Sequence, residues 1–294
     1  MLKVTTTARA ELALSYLPMR LCREIRGLLG SRSGGVSEIR EIRVRSRGLS
    51  SVIYKNEALP LCTRVSEEDM EETVRRLCDG SLYAYRDTVA EGYIPIGMGI
   101  RVGVCGRARY ENRVASGIAD ISSLVFRIPG HICEFSEELF SVWQGGAGSG
   151  MLIYSPPGVG KTTALRSLAE KIGSGREGVR VAVVDERCEF CKEDYERCQV
   201  DILSGYRQRE GIEIAARTMS PEVIMIDEVG GEDASAILGV VRCGVPIVAT
   251  AHASSLEEVY SRSALTPLLD SGVFDVFVGI SRTGTGYLLS VDRK

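Results

Sequence analysis

The chain lacks any long apolar segment. Its 294 residues contain no run of about 18 consecutive apolar residues, the length that a membrane-spanning helix requires. The N-terminal segment, residues 1–17, has neither the apolar core nor the cleavage site of a secretory signal peptide. These absences argue against a membrane-spanning or exported protein, and the sequence therefore predicts a protein of the cytoplasm.

The chain also lacks a strong net charge and an even set of cysteines. A net charge of −3 disfavours any function that depends on general affinity for nucleic acid, so we expect no nucleic-acid partner. The nine cysteines are odd in number and scattered, which suits reduced thiols better than a disulfide framework. Cys188, Cys191 and Cys198 form one tight group, but neither His131 nor His252 lies near it in sequence to complete a zinc site. Ordinary thiols are the favoured interpretation, and a metal site is the alternative.

The first part of the chain, residues 1–132, predicts a small α+β domain. A helical apolar pattern covers residues 11–29. Apolar and polar residues then alternate over 38–57, 99–110 and 121–129, as in strands with one solvated face. With 44% apolar and 26% charged residues, the whole chain is typical of a soluble globular protein that is long enough for two domains.

From residue 133 onward, strands alternate with helices, a pattern that predicts a mainly parallel sheet. The predicted strands cover 151–155, 180–185, 223–227 and 246–251, and the predicted helices cover 161–172, 211–219, 232–242 and 255–264. The tail, residues 274–292, predicts a hairpin that turns at 283–286. We therefore predict an α/β domain with a terminal β-hairpin over 133–294.

Residues 150–163, GMLIYSPPGVGKTT, have the strand, loop and helix start of a phosphate-binding loop. Gly158 and Gly160 allow backbone N–H groups to turn inward around a phosphate, and the new helix adds its partial positive end. Lys161 would reach the β- and γ-phosphates of a nucleotide, and Thr162 would hold Mg²⁺ through its hydroxyl. This segment predicts binding of ATP with Mg²⁺.

One position of the loop departs from the consensus GxxxxGK[ST]. The first glycine is replaced by Ser155, where the residue serves the turn out of the strand and a negative φ suffices. The residues expected to form the nucleotide site are Ser155, Pro156, Pro157, Gly158, Val159, Gly160, Lys161, Thr162 and Thr163.

Acidic residues follow two of the predicted strands. Asp227 and Glu228 end one strand, and Asp185 and Glu186 end another. Because parallel strands deliver their carboxyl ends to the ligand crevice, these acids are expected beside the phosphates. Asp227 and Asp185 are candidate Mg²⁺ residues, and Glu228 or Glu186 would orient and deprotonate the attacking water. The spacing leaves both glutamates open as the base, with Glu228 preferred.

A third strand ends in a histidine. His252 follows a buried strand, from which it would sense the γ-phosphate by hydrogen bonding, although a lone histidine is more often structural. Arg217, in the helix before Asp227, is a further candidate to touch the nucleotide or a neighbouring subunit.

Together these segments resemble a known superfamily. SPPGVGKTT, VVDERCE, RTMSPEVIMIDE and TAHASSLEEV resemble, in that order, the phosphate loop, acidic box, Walker B strand and histidine box of the secretion ATPases. The N-terminal segments EIRVR, GIRVGVCGRARY and ISSLVFRIPG narrow the resemblance to the stage III sporulation protein AA family of endospore-forming bacteria. The resemblance implies a RecA-like P-loop NTPase core that hydrolyses ATP to ADP and phosphate.

The resemblance also implies partners and a location. Members are expected to form a homo-oligomeric ring, a hexamer, peripheral to the inner face of the mother-cell membrane, where they energise membrane-embedded channel proteins between mother cell and forespore. By position, it makes Arg101, Arg107 and Arg127 candidates to reach a neighbouring subunit's nucleotide. An arginine supplied in this way can be worth about 10³ to 10⁵ in rate, so an isolated subunit should be nearly inactive.

Two other classes of function remain as alternatives. A small-molecule nucleotide kinase would need an arginine-rich lid after the third strand, where this chain offers only the short hairpin turn at 283–286. A nucleotide-dependent binding or switch protein acting on nucleic acid would need a basic groove, which the net charge of −3 disfavours.

Overall fold

The computed structural model describes residues 6–55, 57–81, 85–111, 114–129, 135–146, 149–175, 178–283 and 286–294. Contacts between Cα atoms divide the chain into two compact units, Met1–His131 and Ile132–Lys294. The predicted domain boundary between residues 132 and 133 lies outside the described residues, as does His131, so that boundary stays a prediction.

The first unit is built on a six-stranded antiparallel sheet. Its strands are β1 (Ile39–Arg45), β2 (Ser51–Tyr54), β3 (Glu57–Pro60), β4 (Tyr93–Pro95), β5 (Arg101–Glu111) and β6 (Val114–Arg127). Its helices are α1 (Thr6–Ser15), α2 (Met19–Leu29), α3 (Glu67–Leu77) and α4 (Arg86–Ala90), with a 3₁₀ turn at Gly35–Glu38. The strands lie in the order β3-β2-β1-β6-β5-β4.

Apolar and polar residues alternate along the strands, and this alternation explains which face of the sheet is buried. Val102 and Val104 of β5 are buried, as the sequence predicts. Strand β6 begins at Val114, well before the predicted start at residue 121. Its partner strand β5 is exposed from Cys105 to Tyr110, so this part of β5 has no buried alternation from which a sequence pattern could be read.

The second unit contains a seven-stranded sheet. Its strands are β7 (Met151–Ser155), β8 (Val181–Asp185), β9 (Val200–Ser204), β10 (Val223–Ile226), β11 (Ile247–His252), β12 (Val276–Arg282) and β13 (Tyr287–Arg293). Its helices are α5 (Ser136–Gln144), α6 (Lys161–Gly173), α7 (Gln208–Thr218), α8 (Ala234–Arg242), α9 (Leu256–Ser261) and α10 (Thr266–Asp270), with 3₁₀ turns at Lys192–Tyr195 and Gly231–Asp233. The order is β13-β12-β7-β11-β10-β8-β9, and every neighbouring pair is parallel except β12 with β13.

The predicted strands and helices of this unit are present, and the terminal hairpin is formed by β12 and β13. Strands β7, β8 and β10 are buried at every position, which explains their continuous apolar sequences. The sequence pattern missed β9, a half-exposed edge strand with polar residues, and the short helix α10. The helix expected at 211–219 begins at Gln208.

The parallel strands place their carboxyl ends along one edge of the sheet. Strand β7 leads there into the loop before α6, β8 ends at Asp185, and β11 ends at His252. Asp227 and Glu228 follow directly after β10. Among the described residues, no helix is long and apolar enough to cross a membrane.

Candidate functional site

The loop from residue 156 to residue 160 has the backbone conformation of a phosphate cradle. Gly158 (φ +75°) and Gly160 (φ +114°) lie in the left-handed region, which a side chain with a Cβ atom rarely adopts. Gly160 is the N-cap of α6 and leaves the first N–H groups of this helix without a side-chain cap. Those N–H groups and the positive end of the helix dipole favour an anion such as a phosphate.

Ser155 occupies the consensus glycine position without backbone strain. It ends β7, its side chain is buried, and its φ is not positive. The Ser155 hydroxyl donates to the carbonyl of Pro156 at 2.9 Å, and its own carbonyl accepts from the backbone N–H of Ala253 at 3.2 Å. The remaining predicted loop residues lie around this turn and in the first turn of α6: Pro156, Pro157, Val159, Thr162 and Thr163.

Lys161 is buried at the start of α6, with 5% of its surface exposed. Its Nζ donates to the carbonyls of Ser155 (3.1 Å) and Pro156 (3.4 Å), and lies 2.8 Å from Nδ1 of His252. Burial lowers the pKa of the Lys161 amine, while the carboxylates of Glu228 and Asp227 act in the opposite direction. The ammonium is therefore held beside the acids at the strand ends.

The contact with Lys161 defines the hydrogen bonds of His252. When Nδ1 accepts from the ammonium of Lys161, the proton of the neutral ring lies on Nε2, and Nε2 donates to Oε1 of Glu228 at 2.9 Å. The histidine thus links the phosphate-loop lysine to the preferred catalytic glutamate. The structure brings together these three residues, which the sequence had placed on three separate segments.

Asp227 lies between two threonine hydroxyls. Thr162 donates to Oδ2 of Asp227 and Thr250 donates to Oδ1, both at 2.7 Å. The same Thr250 oxygen accepts from the backbone N–H of Glu228 at 2.8 Å. A hydroxyl and a carboxylate in contact are hard oxygen donors of the kind that Mg²⁺ prefers, and Mg²⁺ usually takes few protein ligands beside phosphates and water. Thr162 and Asp227 therefore fit the predicted magnesium role.

Glu228 has an unusual backbone and two charged or polar neighbours. Its φ is +57°, rare for a residue other than glycine, and its side chain is 26% exposed. In addition to the contact with His252, Oε2 of Glu228 accepts from Nη1 of Arg187 at 2.6 Å. The carboxylate is therefore held between an imidazole and a guanidinium at the carboxyl edge of the sheet.

Asp185, predicted as a magnesium residue, accepts hydrogen bonds from the loop that follows β8. Its Oδ1 and Oδ2 each accept a backbone N–H at 2.9 Å, from Glu189 and Phe190. The carboxylate thereby closes the loop after β8. Burial raises the pKa of Asp185 to about 6, although these two hydrogen bonds favour the charged form. Both oxygens of Asp185 thus have a partner within this loop, and its predicted place in the magnesium set stays a prediction.

This raised pKa predicts a pH dependence of stability. The folded protein holds the Asp185 proton more tightly than the unfolded chain, so this stabilisation is fully present below the ordinary pKa and is lost as the pH rises through about 6. Relative to Asp185→Asn, which is neutral throughout, the wild-type free energy of unfolding should fall by about 2 kcal/mol between about pH 4 and about pH 7. Urea unfolding of both proteins measures this difference, and a difference that is constant with pH would contradict the prediction.

Glu186 and Arg217, two other predicted site residues, lie near opposite ends of α7. The exposed Glu186 accepts, through Oε2, from the backbone N–H of Gln208 (3.3 Å), the first residue of α7. Arg217 lies nine residues further along, about 13 Å on the helix axis, and its 72% exposed side chain pairs with Glu213. Arg217 therefore lies far from the strand ends along α7, and its predicted contact with the nucleotide or with a neighbouring subunit stays a prediction.

The structure adds Thr250, Gln208 and Arg187 to the site. Nε2 of Gln208 donates to the backbone carbonyls of Asp227 and Glu228, so α7 supports the acidic strand end. The sequence offered no signal for Gln208, because the predicted helix began after it. Thr250 lies two residues before His252, and Arg187 lies two residues after Asp185. Their position near a predicted strand end was the signal in the sequence that could have indicated them.

The three arginines expected to act across subunits lie on the sheet of the first unit. Arg101 of β5 lies over the ring of Tyr93 (5.2 Å from the centroid) and is directly opposite Arg127 of β6 in the strand register. Arg107 forms an exposed ion pair with Asp120 at 2.8 Å. Their role toward a second subunit stays a proposal.

Sequence comparison relates this chain to a known protein family. The model of the family sporulation stage III, protein AA, matches residues 16–289. The chain is 32% identical over 268 residues to stage III sporulation protein AA of Bacillus subtilis (strain 168), covering 87% of each chain.

Solved structures support the fold. A crystal structure of the pilus retraction motor PilT with bound ADP matches with a TM-score of 0.64 and 14% identity, covering 94% of this chain and 82% of that one. The ATPase DotB of Legionella pneumophila matches with a TM-score of 0.60 and 15% identity, covering 87% of this chain and 77% of that one. The predicted RecA-like fold of the secretion ATPases is thus confirmed. Since the family model spans nearly the whole chain and the Bacillus relative aligns over most of both sequences, this protein belongs to the family of sporulation stage III, protein AA.

Proposed function

We propose that this protein is an ATPase, the motor subunit of a secretion-like assembly, which converts ATP and water to ADP and phosphate. The observation that carries the proposal is the cluster in which Lys161, His252 and Glu228 are joined by hydrogen bonds, beside the Thr162 and Asp227 pair. A phosphate cradle, a magnesium set and a candidate base thus converge on one edge of the sheet, as in-line transfer of a phosphoryl group to water requires.

Each group has a role that follows from its chemistry. The N–H groups after Gly160 and the ammonium of Lys161 would bind the β- and γ-phosphates. Thr162 and Asp227 would hold Mg²⁺, which supplies charge neutralisation when bound. Glu228 would orient the attacking water and take its proton, while His252 would detect the γ-phosphate through Nε2.

Thr250 and Gln208 would position the base. The Thr250 hydroxyl accepts from the backbone N–H of Glu228, and Gln208 donates to the backbone carbonyls of Asp227 and of Glu228 itself. These bonds hold the left-handed conformation of Glu228, whose cost of about 1 to 3 kcal/mol the surrounding structure must offset. The direction of the Glu228 carboxylate therefore depends on both neighbours.

The family and the fold support the wider part of the proposal. The relatives are named a stage III sporulation protein, an ATPase and a pilus retraction motor. We propose a homo-oligomeric ring, a hexamer, in which an arginine among Arg101, Arg107 and Arg127 reaches the neighbour's nucleotide. The ring would lie at the inner face of the mother-cell membrane and energise or assemble a channel of membrane-embedded sporulation proteins leading to the forespore.

The ring predicts that specific activity depends on protein concentration. Because an arginine supplied by a neighbour is worth about 10³ to 10⁵ in rate, phosphate release per subunit should rise steeply as subunits associate. Phosphate release at increasing protein concentration, with light scattering on the same samples, measures this. Activity that stays flat down to dilute monomer would remove the ring from the proposal, and transfer of phosphate to a small acceptor instead of water would favour the kinase alternative.

A further inference from the structure

Arg187 is a charged residue that contacts Glu228 and has no role in the proposed mechanism. Its Nη1 lies 2.6 Å from Oε2 of Glu228, and its side chain is 55% exposed. It follows β8 by two residues, so its backbone lies at the carboxyl edge of the sheet with the phosphate loop. Within the described residues its guanidinium pairs with Glu228, and its long side chain with several donors can reach a second acceptor near that carboxylate.

The charge of Glu228 gives such a cation a task in nucleotide binding. His252 bonds to both Glu228 and Lys161, so the carboxylate lies one imidazole ring away from the lysine that would bind the terminal phosphates. A γ-phosphate there would bring negative charge toward a fixed negative carboxylate in a partly buried site, where like charges repel strongly. A diphosphate stops short of that position and meets no such repulsion.

Lys161 alone is poorly suited to offset this repulsion. Its ammonium is buried and already donates to the carbonyls of Ser155 and Pro156. Arg187, in contrast, is half-exposed and presents a planar fork of donors that can contact a carboxylate and a phosphate oxygen together.

We infer that Arg187 discriminates nucleoside triphosphates from diphosphates, because its guanidinium neutralises the charge that a terminal phosphate brings next to Glu228. This inference rests on the proposed nucleotide site. Arg187 acts within its own subunit, so it differs from the arginines that would come from a neighbour. Its loss should weaken binding of a triphosphate selectively.

The test measures the affinities of two nucleotides for the full chain. Calorimetric titration with a nonhydrolysable ATP analogue and with ADP, both with Mg²⁺, gives the ratio of the two affinities. Arg187→Ala should weaken triphosphate binding about tenfold to a hundredfold, the value of one charge-assisted hydrogen bond, and leave ADP binding within about twofold. Arg187→Lys, which keeps the charge but not the fork, should restore part of the triphosphate affinity.

Arg180→Ala is the matched control. Arg180 precedes the same strand β8 at its opposite end, has the same 55% exposure and also pairs with a glutamate, Glu222. Its loss should change neither affinity. An equal loss for both nucleotides, or no loss for the triphosphate, in Arg187→Ala would overturn the inference. If the wild-type protein binds neither nucleotide, the proposed function itself fails, which is a separate outcome.

Discussion

Lys161→Ala is expected to abolish binding of Mg-ATP, with a loss of affinity of about a hundredfold or more. The ammonium is buried at the start of α6, beside the turn and His252, so its loss removes the positive charge that the phosphate loop itself would bring to the β- and γ-phosphates. Calorimetric titration with Mg-ATP measures the loss. A variant that binds Mg-ATP normally would contradict the assignment of the phosphate loop.

Two further variants separate the charge of Lys161 from its packing. Lys161→Met keeps most of the side-chain volume and should bind as poorly as the alanine variant. Lys171→Ala removes a partly exposed lysine of the same helix that pairs with Glu137, and should bind as the wild type does. Thermal unfolding of each variant checks that the affinity reports on the site and not on the fold.

Glu228→Gln should remove hydrolysis and keep binding. A glutamine preserves the volume and can still contact His252, but it cannot take a proton from water, so the rate should fall about 10² to 10⁴-fold. Bound ATP should then accumulate without release of phosphate. Retention of radiolabelled ATP through gel filtration, together with single-turnover phosphate release, measures both effects.

Comparison with other glutamates decides between the two candidate bases. Glu186 is exposed and contacts the N-terminus of α7, so Glu186→Gln should hydrolyse ATP at a rate near that of the wild type. Glu222→Gln removes an exposed glutamate at the start of β10 and serves as the control. If Glu186→Gln traps ATP and Glu228→Gln does not, the order of the two candidates is reversed.

The strands were predictable where burial is continuous. Strands β7 and β10 are apolar and buried at every position, so their sequences alone indicated them. The prediction for β10 ran one residue too far, because Glu228 takes a left-handed conformation and the chain leaves the sheet after Ile226. The edge strand β9 was missed because its pairing with β8, and not its own composition, holds it in place.

The sequence by itself determined the phosphate loop, the family resemblance and the strand ends that carry acids and a histidine, because these depend on residue type at short, fixed spacing. Only the tertiary structure decided which donors surround each of those acids. It assigned Asp185 to a loop and Asp227 to two threonine hydroxyls, and it placed Glu228 against His252 and Arg187. The reason is physical: a carboxylate's role depends on the donors that fold around it, and here those donors come from segments far apart in the chain.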